Sequence, residues 1–247
     1  MNEVLSLLKN HRSIRKYSRQ PVTPMQVEEI AQAAQMASSS SNVQAYSVVA
    51  VSEPQLKEQL AKLCGNQTYV SACPVFLVWC ADLSRLKVAA ERHLPARETY
   101  EGTTENFMVA TIDAALAAQN AAVAAESMGL GIVYIGGIRN KIEEVSELLS
   151  LPELIYPVFG MCIGYPDQEP GQRPRLPLEA VLHWNKYDSE CSNAAINQYD
   201  EVMSDYLRKR TGGSKDTPWS VLMAEKLAQP SRLHMREFLQ RRGFELK

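Results

Sequence analysis

The feature that most constrains the fold is an uninterrupted helical pattern over residues 105–128, ENFMVATIDAALAAQNAAVAAESM, followed by Gly129. Its alanines are spread around the whole helical circumference and do not form one stripe. A helix that is apolar on most sides is buried on most sides. The pattern therefore predicts one long buried helix, which lies either in the core of a single chain or between two chains at a subunit interface.

Composition limits the classes of protein and of partner. The chain has 247 residues, of which 45% are apolar and 22% charged. These values are ordinary for a globular protein, so we expect a single domain over residues 1–247. The 26 basic and 28 acidic residues nearly cancel, to a net charge of −2. No overall field then attracts nucleic acid or an anionic membrane, and we expect neither partner.

The cysteines and histidines lack the spacings of metal and redox sites. The five cysteines include no C-x-x-C pair and the four histidines no H-x-x-x-H pair, so we expect no metal site. Cys80 and Cys162 lie in apolar runs, where we expect small buried hydrophobic side chains. The odd number of cysteines, without a signal peptide or a run of 18 uncharged apolar residues, predicts a soluble cytoplasmic protein.

Shorter patterns predict further helices around one sheet. Thr23, Pro24 and Gln26 form a capping-box start for a second helix. Ser52 and Asn140 are the expected starts of two more, and three or four helical segments follow residue 193. Apolar runs rich in Val and aromatic residues predict strands at residues 46–52, 74–82, 131–137 and 157–165. The strict spacing of a doubly wound fold is absent, so the predicted class is α+β.

Five polar loops could converge on one anionic, partly aromatic ligand: HRSIR at residues 11–15, SSSS at 38–41, GNQTY at 65–69, YIGG at 134–137 and RPR at 173–175. Taken singly, such loops are usually turns or solvated surface groups. The charge of HRSIR also suits a helix C-terminus. Two arginines three residues apart, with a serine between them, nevertheless form a fork for a phosphate. Gly129 and Gly131 precede a strand and lack a third glycine, which excludes a Rossmann site.

Together with AAESMGLGIVYIGGIRN at residues 124–140 and PRLP at 174–177, these loops resemble the oxygen-insensitive, NADPH-dependent nitroreductase and flavin reductase group of the nitroreductase superfamily. The resemblance extends over nearly the whole chain. It implies an α+β homodimer with a central mixed sheet flanked by helices and with FMN at the subunit interface. It also implies a set of FMN-binding residues: His11, Arg12, Ser13, Arg15, Ser39, Gln67, Tyr134, Ile135, Gly136, Gly137, Arg173 and Arg175.

A basic stretch near the C-terminus, RKRTGGSK at residues 208–215, lies within a predicted mobile loop at about residues 208–216. A solvated linker is the simplest interpretation of such a composition. The matching segment of the resembled group is associated with NADPH, so the resemblance implies a set of NADPH-binding residues here: Arg15, Arg208, Lys209, Arg210 and Lys215.

The implied activity is two-electron, ping-pong reduction of nitroaromatics, quinones or flavins with NADPH as the preferred donor. We predict no obligatory catalytic side chain, because water can protonate the product in an open site. Two alternatives remain. One is an FMN-binding carrier or sensor without turnover, and the other is a different flavin enzyme of the superfamily, of the dehalogenase or flavin-cleaving type.

Overall fold

The computed structural model of the protein describes residues 2–246. Four strands are present in this range: β1 Tyr46–Val51, β2 Val75–Asp82, β3 Gly131–Ile135 and β4 Ile155–Gly164. The α-helices are α1 Glu3–Lys9, α2 Pro24–Gln35, α3 Pro54–Leu63, α4 Thr68–Ala72, α5 Ser84–His93, α6 Thr104–Ser127, α7 Ile142–Leu148, α8 Ser189–Arg210, α9 Trp219–Leu227 and α10 Met235–Arg241.

The four strands form one sheet in the order β1-β2-β4-β3, and neighbouring strands are antiparallel. All eight residues of β2 are buried, as expected for a central strand with both faces covered. The predicted α+β class is confirmed. The mixed sheet that the resemblance implied is not observed. Within residues 2–246, the parallel pairing is a single bridge between Ser13 and Ile132, which lies outside the four strands.

The long alanine-rich helix is confirmed as α6. One face of it is buried against the sheet, where Ala117, Ala118 and Ala121 pack in one cluster with Trp79 and Met161. Gly129, at φ +77°, ends the helix, and the Leu130 N–H donates to the Ala125 carbonyl oxygen at 3.0 Å. Small side chains let the helix approach the sheet closely, which explains the alanine content.

The other face of α6 carries an exposed apolar stripe, which consists of Met108, Ile112 and Leu116. By length and composition, α6 is also the one helix within residues 2–246 that could cross a membrane. A core helix meets the same criterion. The buried face of α6 packs on the sheet and carries Asp113, which is 1% exposed.

The helix starts were predicted with mixed success. The capping box of Thr23 and Gln26 is present and begins α2. The predicted starts at Ser52 and Asn140 are wrong, because α3 begins after Glu53 with Pro54 as its first residue, and α7 begins after Lys141 without a side-chain cap. Glu143, in the first turn of α7, accepts a hydrogen bond from Arg241. The helices α4 and α5 were not predicted.

The described chain forms two compact units. The first contains the residues up to Pro170 together with those from Arg232 onward, and includes the sheet and α1–α7. The second is Gly171–Ser231 and contains α8 and α9, with a small core of Tyr199, Met203 and Leu207. The single domain over residues 1–247 stays a prediction.

Candidate functional site

The HRSIR loop is extended and lies beside the sheet. Helix α1 ends at Lys9 with Asn10 as its C-cap residue, and the loop follows it directly. The Ile14 N–H donates to the Ile132 carbonyl oxygen at 2.8 Å, and the Tyr17 hydroxyl donates to the Ile14 carbonyl oxygen at 2.6 Å. Ile14 is buried while Arg15 is exposed. The backbone of the loop is thereby fixed along the edge of β3.

Two acidic residues contact the basic side chains of this loop. His11 Nδ1 lies 2.6 Å from Glu126 Oε1, in the last turn of α6. Arg12 Nη1 lies 3.1 Å from Glu169 Oε1. Within residues 2–246, Arg12 Nε is one of four buried side-chain nitrogen or oxygen atoms without a hydrogen-bond partner. A buried donor without an acceptor is costly, and it is a place where a bound group is expected.

A chain of contacts joins the HRSIR loop of residues 11–15, called the first loop from here on, to Gln67 and to the end of β3. The Arg15 guanidinium lies 6.0 Å from the ring centre of Tyr69, whose hydroxyl donates to Gln67 Oε1. Gln67 Nε2 in turn donates to the Cys64 carbonyl oxygen at 2.8 Å. A Cβ atom on Gly137 would lie 2.4 Å from that same carbonyl oxygen. Three of the predicted segments are therefore neighbours.

The two glycines that follow β3 have different surroundings. A Cβ atom on Gly137 would also lie 2.5 Å from Gln67 Nε2, so the protein itself leaves no room for a side chain there. A Cβ atom on Gly136 would have Arg139 Nη2 as its nearest neighbour, at 3.5 Å, which is an ordinary contact. Packing explains Gly137, whereas Gly136 leaves backbone accessible to a ligand. Ile135 precedes them and is buried at the end of β3.

Ser39 belongs to a second loop that is held in an unusual conformation. Ser41, Asn42 and Gln44 have φ values of +47°, +59° and +50°, which residues other than glycine rarely adopt. The buried carboxylate of Asp113 accepts hydrogen bonds from the Ser40 and Ala45 N–H groups, both at 3.1 Å. Backbone strain of this kind persists where the surroundings enforce it, and it is frequent at ligand sites.

Tyr134 lies at the junction of β3, β4 and α6. Its ring packs edge-on against Phe159 with centroids 5.2 Å apart, and its hydroxyl donates to Gln119 Oε1 at 3.4 Å. Burial, and to a smaller extent the charge of Glu126, raise the pKa of Tyr134 above its usual value. The phenol therefore stays protonated and can donate a hydrogen bond at neutral pH.

The remaining predicted residues belong to the second unit. Arg173 and Arg175 are exposed, and Arg175 Nη1 donates to the Arg173 carbonyl oxygen at 2.8 Å. The Tyr199 hydroxyl donates to the carbonyl oxygen of Pro174, between them, at 2.9 Å. This contact ties the RPR tripeptide to α8.

The predicted boundary of the basic loop is wrong. Arg208, Lys209 and Arg210 form the last turn of α8, and the turn begins at Thr211. Cations are favoured at this end of a helix because the unpaired carbonyl groups make it negative. Arg208 also pairs with Asp205 at 2.7 Å, and the Lys215 N–H donates to Thr211 Oγ1 at 3.0 Å.

A cavity of about 590 Å³ adjoins the first loop and is lined by Arg12, Ile14, Glu126, Gly131, Gln168 and Glu169 among others. The partnerless Nε of Arg12 fits a phosphate. The open backbone at Gly136 fits a flat ring. A larger cavity of about 790 Å³ lies between α2 and β1 and contains none of the predicted site residues. Arg12 is the predicted site residue among those that line the smaller cavity, and its unused donor fits the phosphate of FMN.

Thiol chemistry is not favoured beside this site. Cys64, whose carbonyl contacts Gln67, is fully buried, and burial raises the pKa of its thiol to about 12. A thiolate is the reactive form of cysteine, so this side chain is inert near neutral pH. Cys80 and Cys162 are fully buried, which confirms the prediction for both.

Sequence reasoning missed Asp113, Glu126 and Glu169, which hold the predicted loops. Asp113 is the one charged residue between positions 106 and 125, a signal that could have identified it as a buried polar contact. Glu126 and Glu169 carry no such signal, because their partners lie 115 and 157 residues away in the chain.

Comparison with known proteins gives matches over nearly the full length. Residues 8–165 match the family model described as Nitroreductase family, and residues 173–247 match the model of the Nitroreductase family, C-terminal domain. The chain is 43% identical over 246 residues to the FMN reductase (NADPH) of Bacillus subtilis (strain 168), covering 99% of both chains. It is 41% identical over 244 residues to a Cr(VI) reductase of Pseudomonas sp. (strain G-1), covering 99% of this chain and 100% of the relative.

A solved structure extends the similarity to the fold. The structure of B. megaterium NfrA1 matches with a TM-score of 0.94 at 45% identity, covering 98% of this chain and 99% of that one.

Proposed function

The chain belongs to the nitroreductase family, and from that premise we propose that it is an FMN-dependent NAD(P)H oxidoreductase that reduces small acceptors. Nitroaromatics, quinones and flavins are the proposed acceptor classes, with NADPH as the preferred donor. The full-length similarity to an FMN reductase supports the activity. The local observation that carries the proposal is the buried, partnerless Nε of Arg12 in a loop fixed beside β3.

The proposed roles follow from the contacts of each segment. Arg12, His11 and Ser13 would hold the phosphate, and Arg173 and Arg175 are proposed as further cations for it. Ser39 and Gln67 would hold the ribityl chain and the edge of the ring. Tyr134, Ile135, Gly136 and Gly137 would lie beside the ring. When bound, FMN supplies the ability to accept and donate a hydride.

No protein side chain is assigned a proton transfer. The raised pKa of Tyr134 keeps its hydroxyl protonated, which suits binding and not general base catalysis. Cys64 is likewise protonated. The proposed work of the chain is to bind, to orient and to supply backbone donors, while solvent protonates the product.

A homodimer is part of the proposal. The apolar stripe of Met108, Ile112 and Leu116 on α6 supports it, because a long stripe at helical spacing is a common interface element. A soluble, cytoplasmic location is also proposed, with the low net charge as its support.

The donor preference is assigned to the basic end of α8. Lys209 and Arg210 are exposed there, with Arg208 and Lys215 nearby in sequence, and Arg15 of the first unit is proposed to assist. A 2′-phosphate distinguishes NADPH from NADH, and exposed arginine and lysine side chains suit it.

Purified protein tests the proposal directly. The flavin content per chain is measured by absorbance after dialysis, and NADPH oxidation is then followed with a quinone and with a nitroaromatic at several concentrations of both substrates. We expect one FMN per chain and parallel lines in double-reciprocal plots. A flavin-loaded protein without turnover would favour the carrier or sensor alternative, and a protein that takes up no FMN would refute the proposal.

A further inference from the structure

The guanidinium of Arg12 is already paired with an anion of the same chain. Arg12 Nη1 lies 3.1 Å from Glu169 Oε1, and the two side chains are 32% and 88% exposed. Glu169 lies in the segment after β4, five residues beyond the last residue of that strand. An ion pair with so exposed a partner is weak, so the carboxylate can leave at little cost.

The same guanidinium retains unused donor capacity. Its Nε atom is buried and has no hydrogen-bond partner within residues 2–246, while Nη1 donates a hydrogen bond to Glu169. A guanidinium offers five N–H donors, and a phosphate uses two of them in a bidentate contact. Arg12, Gln168 and Glu169 line the same cavity of about 590 Å³. A phosphate that enters this cavity and a carboxylate at Nη1 therefore compete for one group.

Building on the proposed function, we propose that Glu169 is a displaceable internal counterion. Its carboxylate lies at Nη1, beside the unused Nε donor of Arg12 that the FMN phosphate would take, and its negative charge lowers FMN affinity and speeds FMN release. Two anions near one cation repel each other, and the phosphate near −2 feels this repulsion more strongly than a neutral group would. The site thereby favours exchange of flavin over permanent retention.

The opposite role for Glu169 makes an opposite prediction. If the carboxylate served to orient Arg12 for the phosphate, its removal would weaken FMN binding. If it is a competitor, its removal strengthens FMN binding. The sign of the change separates the two roles.

The test uses Glu169→Gln, which keeps the size of the side chain and removes its charge. The apo protein is titrated with FMN and with riboflavin, and quenching of flavin fluorescence gives Kd and the dissociation rate. We expect FMN binding about three- to tenfold tighter at low salt, with a slower dissociation rate, since the competing pair is exposed. The gain should shrink at high salt, where exposed charges are screened. Riboflavin, which lacks the phosphate, should bind unchanged.

A matched control separates this contact from a general change in charge. Glu91 is 64% exposed and lies 3.9 Å from Lys87 in α5, which follows the Asp82 end of β2. Asp82 pairs with Ile155 at one end of β4. Gly164, at the other end of β4, pairs with Gly131 beside the first loop. Helix α5 therefore follows the end of the sheet that is remote from the first loop. Glu91→Gln should leave FMN affinity unchanged. Glu169→Gln should also have no effect in an Arg12→Ala background.

The outcomes distinguish this inference from the proposed function. Wild-type protein that binds FMN, together with a Glu169→Gln variant that binds it equally or more weakly, overturns the counterion and leaves the reductase proposal standing. Tighter riboflavin binding by the variant also overturns it. A wild-type protein that takes up no FMN refutes the proposed function itself.

Discussion

One guanidinium dominates the local electrostatics of the first loop. Arg12 has an exposed counterion, Glu169, on one nitrogen and a buried, partnerless nitrogen beside it. Charge-assisted hydrogen bonds contribute about 1.5 to 3 kcal/mol each when the partner is bound. The binding free energy of a phosphate in this loop should therefore depend strongly on this one residue.

Arg12→Ala should lose FMN while the chain still folds. The loss of one or two charge-assisted bonds corresponds to an affinity lower by roughly ten- to a hundredfold or more. The flavin-to-protein absorbance ratio after dialysis measures it, with far-UV circular dichroism to monitor folding. Arg19→Ala, at an exposed arginine further along the chain, is the control and should stay yellow. An Arg12→Ala protein with a full complement of FMN would rule out the phosphate role.

Gly136 and Gly137 provide a matched pair of substitutions. An alanine at 137 would place its Cβ 2.4 Å from the Cys64 carbonyl oxygen, whereas one at 136 finds its nearest contact at 3.5 Å. Gly137→Ala should lower the free energy of unfolding of the apo protein by about 1 to 3 kcal/mol, a typical cost of overpacking. Gly136→Ala should leave it within about 0.5 kcal/mol of wild type but weaken FMN binding. Urea titrations of the apo proteins decide, and equal stability of the two variants contradicts the packing argument.

At the scale of single residues, the sequence predicted donors but not their partners. The fork in HRSIR and the glycines at 136 and 137 are recognisable from residue type and spacing. Glu126, Glu169 and the Cys64 carbonyl are brought to these residues only by the tertiary fold. Their contacts arise from residues far apart in the chain, which periodicity does not register.

Helices and strands were predicted where their patterns are long or bounded by strong signals. The second helix has a capping box, and α6 has 24 residues of uninterrupted pattern. The α5 segment SRLKVAAERH was missed because six of its ten positions are polar or charged and its N-cap residue, Leu83, makes no side-chain hydrogen bond. The first loop resembles a helix C-terminus in composition, yet backbone hydrogen bonding to Ile132 makes it extended.

The two faces of α6 lead to a test of the proposed dimer. Ala118 is fully buried against the sheet, so a large residue there would disrupt the core, whereas Ile112 is 52% exposed on the apolar stripe. Ile112→Glu should weaken association without unfolding the chain, because a charge at an apolar interface loses its hydration. Light scattering should show a shift from a dimer toward the 27.6 kDa chain. Val88→Glu, at an equally exposed apolar position of α5, is the control. A wild-type protein that is already monomeric rules the dimer out.

At the scale of the whole molecule, the sequence predicted the α+β class and the group resemblance, while the separate core of residues 171–231 was not expected. Tyr199, Met203 and Leu207 form that core at spacings of four residues, which is an ordinary amphipathic pattern in sequence. Such a pattern does not identify the apolar surface against which the helix packs. The basic end of α8 belongs to this second unit, so four of the five residues in the coenzyme proposal lie there and Arg15 does not.

The proposed preference for NADPH is tested by the double substitution of Lys209 and Arg210 with Ala. Both side chains are exposed at the end of α8, and Arg210 Nη1 lies 3.5 Å from the Tyr206 hydroxyl within the same helix. Exposed charges are screened over about 8 Å at physiological ionic strength, so their contribution should be modest and sensitive to salt. The double variant should raise the KM for NADPH about three- to tenfold at low salt and less at high salt. Bound FMN and turnover with NADH should stay near wild-type values, since neither depends on the 2′-phosphate.

Steady-state kinetics with both donors across a salt series provide the measurement. An unchanged KM for NADPH in the double variant, or equal use of both donors by the wild-type protein, would refute the role of α8 while leaving the flavin site as proposed.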